Sequence, residues 1–354
     1  MNLLNLHPIE AQASVEQWLS HHGEPSYRAR QVVPRLWQRP VRSWQDATDL
    51  PRRLREWLEN ELPLPRPTLS TQQSSSDGTV KFLWDFGSGG AVESVLIPEG
   101  RRRTLCISSQ AGCAFGCVFC ATGRMGFVRH LEAWEIASQV RELMLDDATA
   151  RPTNVVFMGM GEPLHNWPAV DLSLSMLNHP LGIGLGARHI TVSTVGIVPN
   201  LVKLAARPEQ FRVALSLHAP RSALRRRLMP VEKKYPLSKV MTALERFSRR
   251  ITFEYVMIHD LNDGEAEAVE LAQLAQPLGA LVNLLPLHPG GAPGFVASSP
   301  DRIKRFAQLV GDRGVSVTVR RSRGLDIAAA CGQLRVESDQ AGSIPSQVDT
   351  HVEQ

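Results

Sequence analysis

The sequence is short of several things. No run of eighteen apolar residues occurs, so no hydrophobic membrane-spanning helix is expected. The first residues, Met1 to Glu10, lack a basic segment followed by an apolar one. A secretory signal is therefore not expected, and the expected compartment is the cytoplasm. Cysteine is sparse: Cys106, Cys113, Cys117, Cys120 and Cys331 are all there are. An odd number with tight local spacing excludes a secreted disulfide framework and leaves metal binding or catalysis.

What remains is ordinary for a globular protein. Hydrophobic residues make up 43% and charged residues 21% of 354 positions, enough for one large domain with a small extra one. The net charge is only +4, but the positive charge is clustered. Between Arg28 and Arg55 stand eight arginines and two acids. Further clusters are Arg101-Arg102-Arg103, Arg221 to Lys234, and Arg320-Arg321-Ser322-Arg323. Such clusters are either solvated faces or parts of one phosphate-facing surface.

Residues 1–62 read as a small helical module with a basic face. Apolar residues recur at three- and four-residue spacing over Ala11 to His21 and Arg28 to Trp37, with Gly23-Glu24-Pro25 as a turn. Residues 63–100 read as a connector, rich in Pro, Ser, Thr and Gln to Ser76, followed by a β-hairpin. The hairpin strands are Thr79 to Trp84 and Ala91 to Ile97, around Gly87-Ser88-Gly89-Gly90. From 101 to 335 short apolar strands alternate with helical stretches such as Ala133–Leu145 and Ile303–Gly311. The strands are expected at Thr104–Ser108, Asn154–Met158, His189–Ser193, Arg212–Leu217, Thr252–Ile258, Leu281–Pro286 and Val315–Arg320. Repeated β-then-α order predicts an α/β fold, a full or partial barrel with a parallel sheet, its chemistry where strands run out into loops. Residues 336–354 have four acids, no Lys or Arg and few large apolar residues, which reads as a flexible tail.

The strongest chemical signal is Cys113-Ala-Phe-Gly-Cys117-Val-Phe-Cys120, directly after the first expected barrel strand. Three thiolates so spaced suit an iron–sulfur cluster. Structural zinc is the competing reading, but it wants a fourth Cys or His, and the next His, His130, lies ten residues past Cys120. A [4Fe–4S] cluster on three cysteines leaves one iron open for the amino and carboxylate groups of S-adenosylmethionine (SAM). Gly159-Met160-Gly161-Glu162-Pro163 follows the next expected strand. A glycine turn admits a ligand close to the backbone, and Glu162 can accept hydrogen bonds from an amino group. Ser193, and Ser216-Leu217-His218, end later strands in the same way. Singly each is more often a satisfied polar residue; together they line one rim. Cys106 and Cys331 are each either a buried structural thiol or a group near the barrel mouth.

These motifs resemble the radical SAM superfamily, and more narrowly the RlmN/Cfr family of RNA adenine methyltransferases. The resemblance runs from about Tyr27 to Arg335. It includes Tyr27-Arg28-Ala29-Arg30-Gln31, Ser75-Ser76-Asp77-Gly78-Thr79, the cysteine block, Gly-Met-Gly-Glu-Pro, Ser-Leu-His-Ala-Pro, Thr252-Phe-Glu-Tyr-Val-Met257, and Val319-Arg320-Arg321 through Cys331-Gly-Gln-Leu334.

The resemblance implies a SAM-dependent RNA (adenine-C) methyltransferase built as a partial barrel. Cys113, Cys117 and Cys120 would hold the [4Fe–4S] cluster. SAM would be bound by Gly161, Glu162, Ser193, Ser216, Leu217, His218 and His288, and two SAM molecules would be used per turnover. Cys331 would carry the methyl group, Glu93 would remove the ring proton and Cys106 would resolve the protein–RNA adduct, leaving a disulfide. Expected partners are 23S rRNA and also tRNA, an external electron donor and a thiol reductant. The enzyme is expected to act as a monomer, with no membrane. C2 of adenine is the expected target, with C8 or another RNA as the alternative. The chain departs from the family pattern in two places. His288 stands before Pro289 where the family has Asn, and Leu325 stands where a second Asp is usual. Trp37 and Trp44 are either core residues or platforms for an unpaired base.

Overall fold

The computed structural model describes residues 1–146, 151–288 and 294–334. Residues 336–354, expected to be a tail, lie outside the described residues, as does Pro289. Among the described residues no helix is long and apolar enough to cross a membrane.

Four α-helices lead the chain: α1 (Pro8–His21), α2 (Ala29–Val32), α3 (Pro34–Trp37) and α4 (Arg52–Glu61). Helix α1 starts where the sequence dictates. His7 Nδ1 accepts from the Ile9 amide, Pro8 occupies the first turn, and the His7 amide in turn donates to the Glu10 carboxylate. Its Ala11, Val15 and Leu19 form the buried stripe that the periodicity predicted. The Arg28–Trp37 segment is broken into two short helices at Val33-Pro34, because proline has no amide to donate there. Trp37 and Trp44 are fully buried, and the Trp44 indole donates to the Leu62 carbonyl at 2.7 Å. They are core residues and do not offer a face to a base.

Twelve strands follow: β1 (Thr68–Ser74), β2 (Val80–Asp85), β3 (Val92–Glu99), β4 (Arg102–Cys106), β5 (Gln110–Gly112), β6 (Phe127–His130), β7 (Asn154–Phe157), β8 (Ile190–Thr194), β9 (Arg212–Ser216), β10 (Thr252–Met257), β11 (Leu281–Pro286) and β12 (Val317–Val319). Ten form one sheet in the order β1-β2-β3-β4-β7-β8-β9-β10-β11-β12, while β5 and β6 form a separate pair. Strands β4 and β7 to β12 pair in parallel, and they are the seven expected strands, each shifted by at most two residues at an end. Between them run α5 (Ala121–Arg124), α6 (Ala133–Asp146), α7 (Trp167–Asn178), α8 (Val198–Ala205), α9 (Ser222–Leu228), α10 (Leu237–Leu244), α11 (Glu265–Ala275) and α12 (Pro300–Gly311). The ends of the sheet, β1 and β12, do not pair with each other, so the barrel is partial.

The sequence reading missed β1, which it took for connector. That strand is a polar, mostly exposed edge strand, so it carries no apolar alternation to read. It pairs antiparallel with β2, and β2 with β3, so the hairpin continues the barrel sheet.

Two buried arginines tie elements together. Arg141 on α6 donates to the Leu36 and Val41 carbonyls at 2.8 and 2.7 Å, fastening the N-terminal helices to the barrel. Arg225 on α9 donates to the Val195 carbonyl at 2.6 Å and the Leu217 carbonyl at 3.3 Å, and pairs with Glu232 at 2.5 Å. Neither partner of that pair is accessible to solvent. Glu232→Ala leaves a buried guanidinium without its counter-charge. It should destabilise the protein by about 3–5 kcal/mol, read as a lowered midpoint in chemical denaturation.

Candidate active site

Every parallel strand delivers a residue to one cavity at its C-terminal end, where the sheet's backbone runs out and loops begin. The cavity measures about 180 Å³. Its walls include Cys113, Cys117 and Cys120 from the loop after β4, Gly161 and Glu162 after β7, and Ser193 from β8. Ser216 and His218 come from the end of β9, Glu254 from β10, His288 after β11, and Arg320 and Cys331 after β12. Of the residues expected to hold the cluster, bind SAM or carry out the reaction, only Glu93, Cys106 and Leu217 do not line it.

The cysteine loop is held from both sides. Val118 donates to the Leu228 carbonyl at 3.1 Å, and Ala121 donates to the Gly332 carbonyl at 2.7 Å. The second bond brings the segment carrying Cys331 directly onto the loop. Burial pushes the Cys113 thiol up to about 12 and raises that of Cys117 as well. Such thiols ionise when a cation binds them, which suits metal ligation. Among the described residues no three His, Cys, Asp or Glu side chains converge on one point as a mononuclear ion needs. A cubane cluster spreads its thiolates over separate irons, so cysteines ranged along a cavity wall fit it better than they fit zinc.

Glycine is required at 161. Its φ is +95°, and a Cβ there would lie 2.6 Å from the Gln110 side chain. Gln110 in turn accepts from the Glu162 amide at 2.7 Å. The Glu162 carboxylate takes Leu164 N (3.0 Å) and Thr194 Oγ1 (2.6 Å) on Oε1, and Val195 N (2.9 Å) on Oε2. Burial raises its pKa to about 7 against those donors. One acceptor position on Oε2 is left for an ammonium group.

His218 has a left-handed backbone, φ +58°. Its Nδ1 accepts from the Val256 amide at 3.0 Å, so the proton must sit on Nε2. Burial lowers its pKa to about 3, so it stays neutral and offers Nε2–H as a fixed donor. Leu217 is buried, with its backbone bridging Glu254 and Arg225. Ser193 and Ser216 hydroxyls approach within 3.4 Å of each other. His288 Nε2 meets the Ser322 hydroxyl at 2.5 Å, and burial lowers its pKa.

All five cysteines are thiols, with no disulfide among them. Arg320 donates to Cys331 Sγ at 3.1 Å. Cys106 is buried at the end of β4. Burial pushes its thiol up to about 12, the neighbouring Cys331 sulfur adds to that, and Arg320 opposes it. Glu93 is on β3, in register beside Val95, which pairs with Lys81 on β2 and Cys106 on β4. Residues 93, 95 and 97 share one face of that strand, and Ile97 lines the cavity, so Glu93 and Cys106 project from the cavity side of the sheet. The Glu93 carboxylate is paired with Lys81 at 2.9 Å.

Sequence reasoning missed two members of this group, Arg320 and Glu254. Arg320 was visible in a basic cluster and in the Val319-Arg320-Arg321 motif, and Glu254 only as part of Thr252-Phe-Glu-Tyr-Val-Met257, with no role attached to either. Which arginine turns inward depends on strand register, which charge clustering does not encode.

Two family models match the chain. Residues 107–272 match the model of the radical SAM superfamily, and residues 1–63 match that of the ribosomal RNA large subunit methyltransferase N-terminal domain. A protein of Gemmatimonas aurantiaca named "Probable dual-specificity RNA methyltransferase RlmN" is 57% identical over 95% of this chain and 93% of its own. The "Dual-specificity RNA methyltransferase RlmN" of Anaeromyxobacter dehalogenans is 44% identical over 89% of this chain and 87% of its own. The crystal structure of a radical SAM methyltransferase from Sphaerobacter thermophilus superposes with a TM-score of 0.88 at 42% identity. It covers 95% of this chain and 100% of that one.

Proposed function

This chain belongs to the RlmN family of radical SAM RNA methyltransferases, and from that premise we propose that it methylates C2 of an adenine in 23S rRNA, and of a tRNA adenine, through a methyl group carried on Cys331. One observation carries the reading: the three-cysteine loop and Cys331, which are over 200 residues apart in sequence, line a single cavity.

A ring carbon of adenine is a poor nucleophile, so direct displacement on SAM does not reach it. In the proposed reaction Cys331 takes the methyl group of a first SAM by displacement, with Arg320 holding its sulfur. Cys113, Cys117 and Cys120 would hold the family's [4Fe–4S] cluster, which would supply one-electron chemistry for reductive cleavage of a second SAM and, through it, removal of a hydrogen atom from an inert carbon. Gly161, Glu162, Ser193, Ser216, His218 and His288 grip SAM, with the Glu162 oxygen facing its ammonium and His218 donating from Nε2. His288 replaces the family's asparagine as a hydrogen-bonding partner. The S-methyl carbon of Cys331, stripped of one hydrogen, would bond to the base; the adduct would give its unpaired electron back to the redox centre, and the Glu93 carboxylate beside Lys81 would accept the ring proton. Cys106, as thiolate, then attacks the Cys331 sulfur. The carbon–sulfur bond breaks, the released carbon takes up a proton to become the methyl group, methylated RNA leaves, and a Cys106–Cys331 disulfide remains for an external thiol to reduce.

The N-terminal helices supply a surface for RNA. Arg30, Arg39, Arg52 and Arg53 are exposed there, and Tyr27 is 52% exposed beside Arg28. We further propose that the enzyme acts as a monomer in the cytoplasm and draws its electron from an external donor.

The test is mass spectrometry of rRNA and tRNA from cells with and without the gene. The reading expects 2-methyladenosine at one rRNA site and one tRNA site to vanish with the gene. Loss of 8-methyladenosine instead, or no change in any methyladenosine, would overturn it.

A further inference from the structure

The turn Ser75-Ser76-Asp77-Gly78-Thr79 joins β1 to β2 and touches neither the cavity nor the cysteine loop. Its partners lie about 250 residues away in sequence, in the strap of chain that carries Cys331. Asp77 Oδ2 accepts from the Gly324 amide at 3.0 Å, while its Oδ1 accepts from Thr79 N at 2.9 Å within the turn. Asp326 reaches back, accepting from Ser75 Oγ at 2.6 Å and Ser76 N at 3.1 Å. These bonds hold the Asp77 carboxyl well below the usual carboxylate range, although burial works against them. Asp326 is shifted the same way by Ser75 and Ser76. Both side chains therefore stay charged acceptors, the stronger kind.

The far end of the strap is tied to the cysteine loop. Gly332 O accepts from Ala121 N at 2.7 Å, and Leu334 O accepts from Thr122 Oγ1 at 2.6 Å. Cys331 sits between the two anchorages. No secondary structure of more than one turn supports the stretch between them, which even turns through a left-handed alanine, Ala328 at φ +50°. Gly324 marks the latch itself. Its φ is +63°, and a Cβ there would lie 2.8 Å from Ala329 Cβ and 3.0 Å from Thr79 Cγ2.

We propose that this turn is the positioning element for the carrier thiol: Asp77 and Asp326 latch the strap so that Cys331 is presented between the cysteine loop and Cys106. The proposal rests on the reading of Cys331 as methyl carrier. A strap fixed at both ends defines where its sulfur stands; released at one end, it does not. The chemistry asks that sulfur to meet SAM, the base and Cys106 in turn. A displacement of about 1 Å suffices for roughly a hundredfold loss in such a geometry.

The test uses the full-length, cluster-loaded protein with SAM, reductant and RNA. Asp77→Ala and Asp326→Ala are compared with the parent by amide exchange over residues 320–334 and by 5′-deoxyadenosine formed per methyl group delivered. Expected are exchange faster by about tenfold or more in the strap, several deoxyadenosines per methylation, and kcat down by about a hundredfold. Iron content and KM for RNA stay at the parent's values. Asp77→Asn keeps one carbonyl oxygen for the Gly324 amide and should recover most of the coupling. Should Asp77→Ala fail to fold, Gly324→Ala attacks the latch from the strap side and is read the same way. Strap exchange and product ratio equal to the parent's in these variants would overturn the proposal. A parent protein that never carries methyl on Cys331 would instead strike the functional reading, and the exchange measurement would still decide whether the latch exists.

Discussion

Cys106→Ala protein, given SAM, a one-electron reductant and RNA without air, will accumulate a covalent protein–RNA species instead of releasing methylated RNA. The carbon–sulfur bond joining Cys331 to the base has no other thiol placed to break it. Cys106 is buried on β4, outside the Cys113–Cys120 loop, and the proposal makes it the resolving thiol. The remaining three are cavity-wall residues of the cluster loop. The species should run as a shifted band in denaturing gels and collapse on ribonuclease treatment. Multiple turnover should fall on the order of 10³-fold or more, as when one member of a jointly acting group is removed. The substitution deletes one buried sulfur and should cost stability only about 1 kcal/mol. Free methylated RNA at the parent's rate would show that another group resolves the adduct.

Cys331→Ala should lose RNA methylation by a comparable factor, on the order of 10³-fold or more, but with no trapped species. Without the carrier sulfur there is no methyl group to activate, so no bond to RNA forms. The two variants thus share a rate defect and differ in product, which separates a carrier from a resolving thiol. Cys331 is exposed, so its removal should leave stability within about 0.5 kcal/mol of the parent. Peptide mass spectrometry should find S-methylcysteine at 331 in the parent. Undiminished methylation by Cys331→Ala would sink the carrier mechanism.

Much of the architecture was legible in the residues. The parallel strands are apolar runs buried on both faces, such as Val155-Val156-Phe157 and Val213-Ala214-Leu215, so composition alone locates them. Strand β1 was hidden because an exposed edge strand can be polar throughout. The short pair β5 and β6 was hidden because three or four residues are too few to show a period. Glu162 was legible as a cavity residue, but not the donors from Leu164, Thr194 and Val195 that occupy most of its carboxylate. Trp37 and Trp44 look the same in sequence whether they stack on a base or fill a core, and packing put them in the core.

The sequence by itself determined the chemical inventory: three closely spaced cysteines, two separated ones, and the glycine turn. It also determined the order of the parallel strands and the helices between them, because hydrophobic period and turn residues act over a few positions. Tertiary structure alone decided that Cys331 faces the cavity of Cys113, Cys117 and Cys120, that Arg320 reaches its sulfur, and that Asp77 holds the strap in place. Those contacts join residues far apart in the chain. They are fixed by sheet register and by loop anchorage, and a local pattern carries neither.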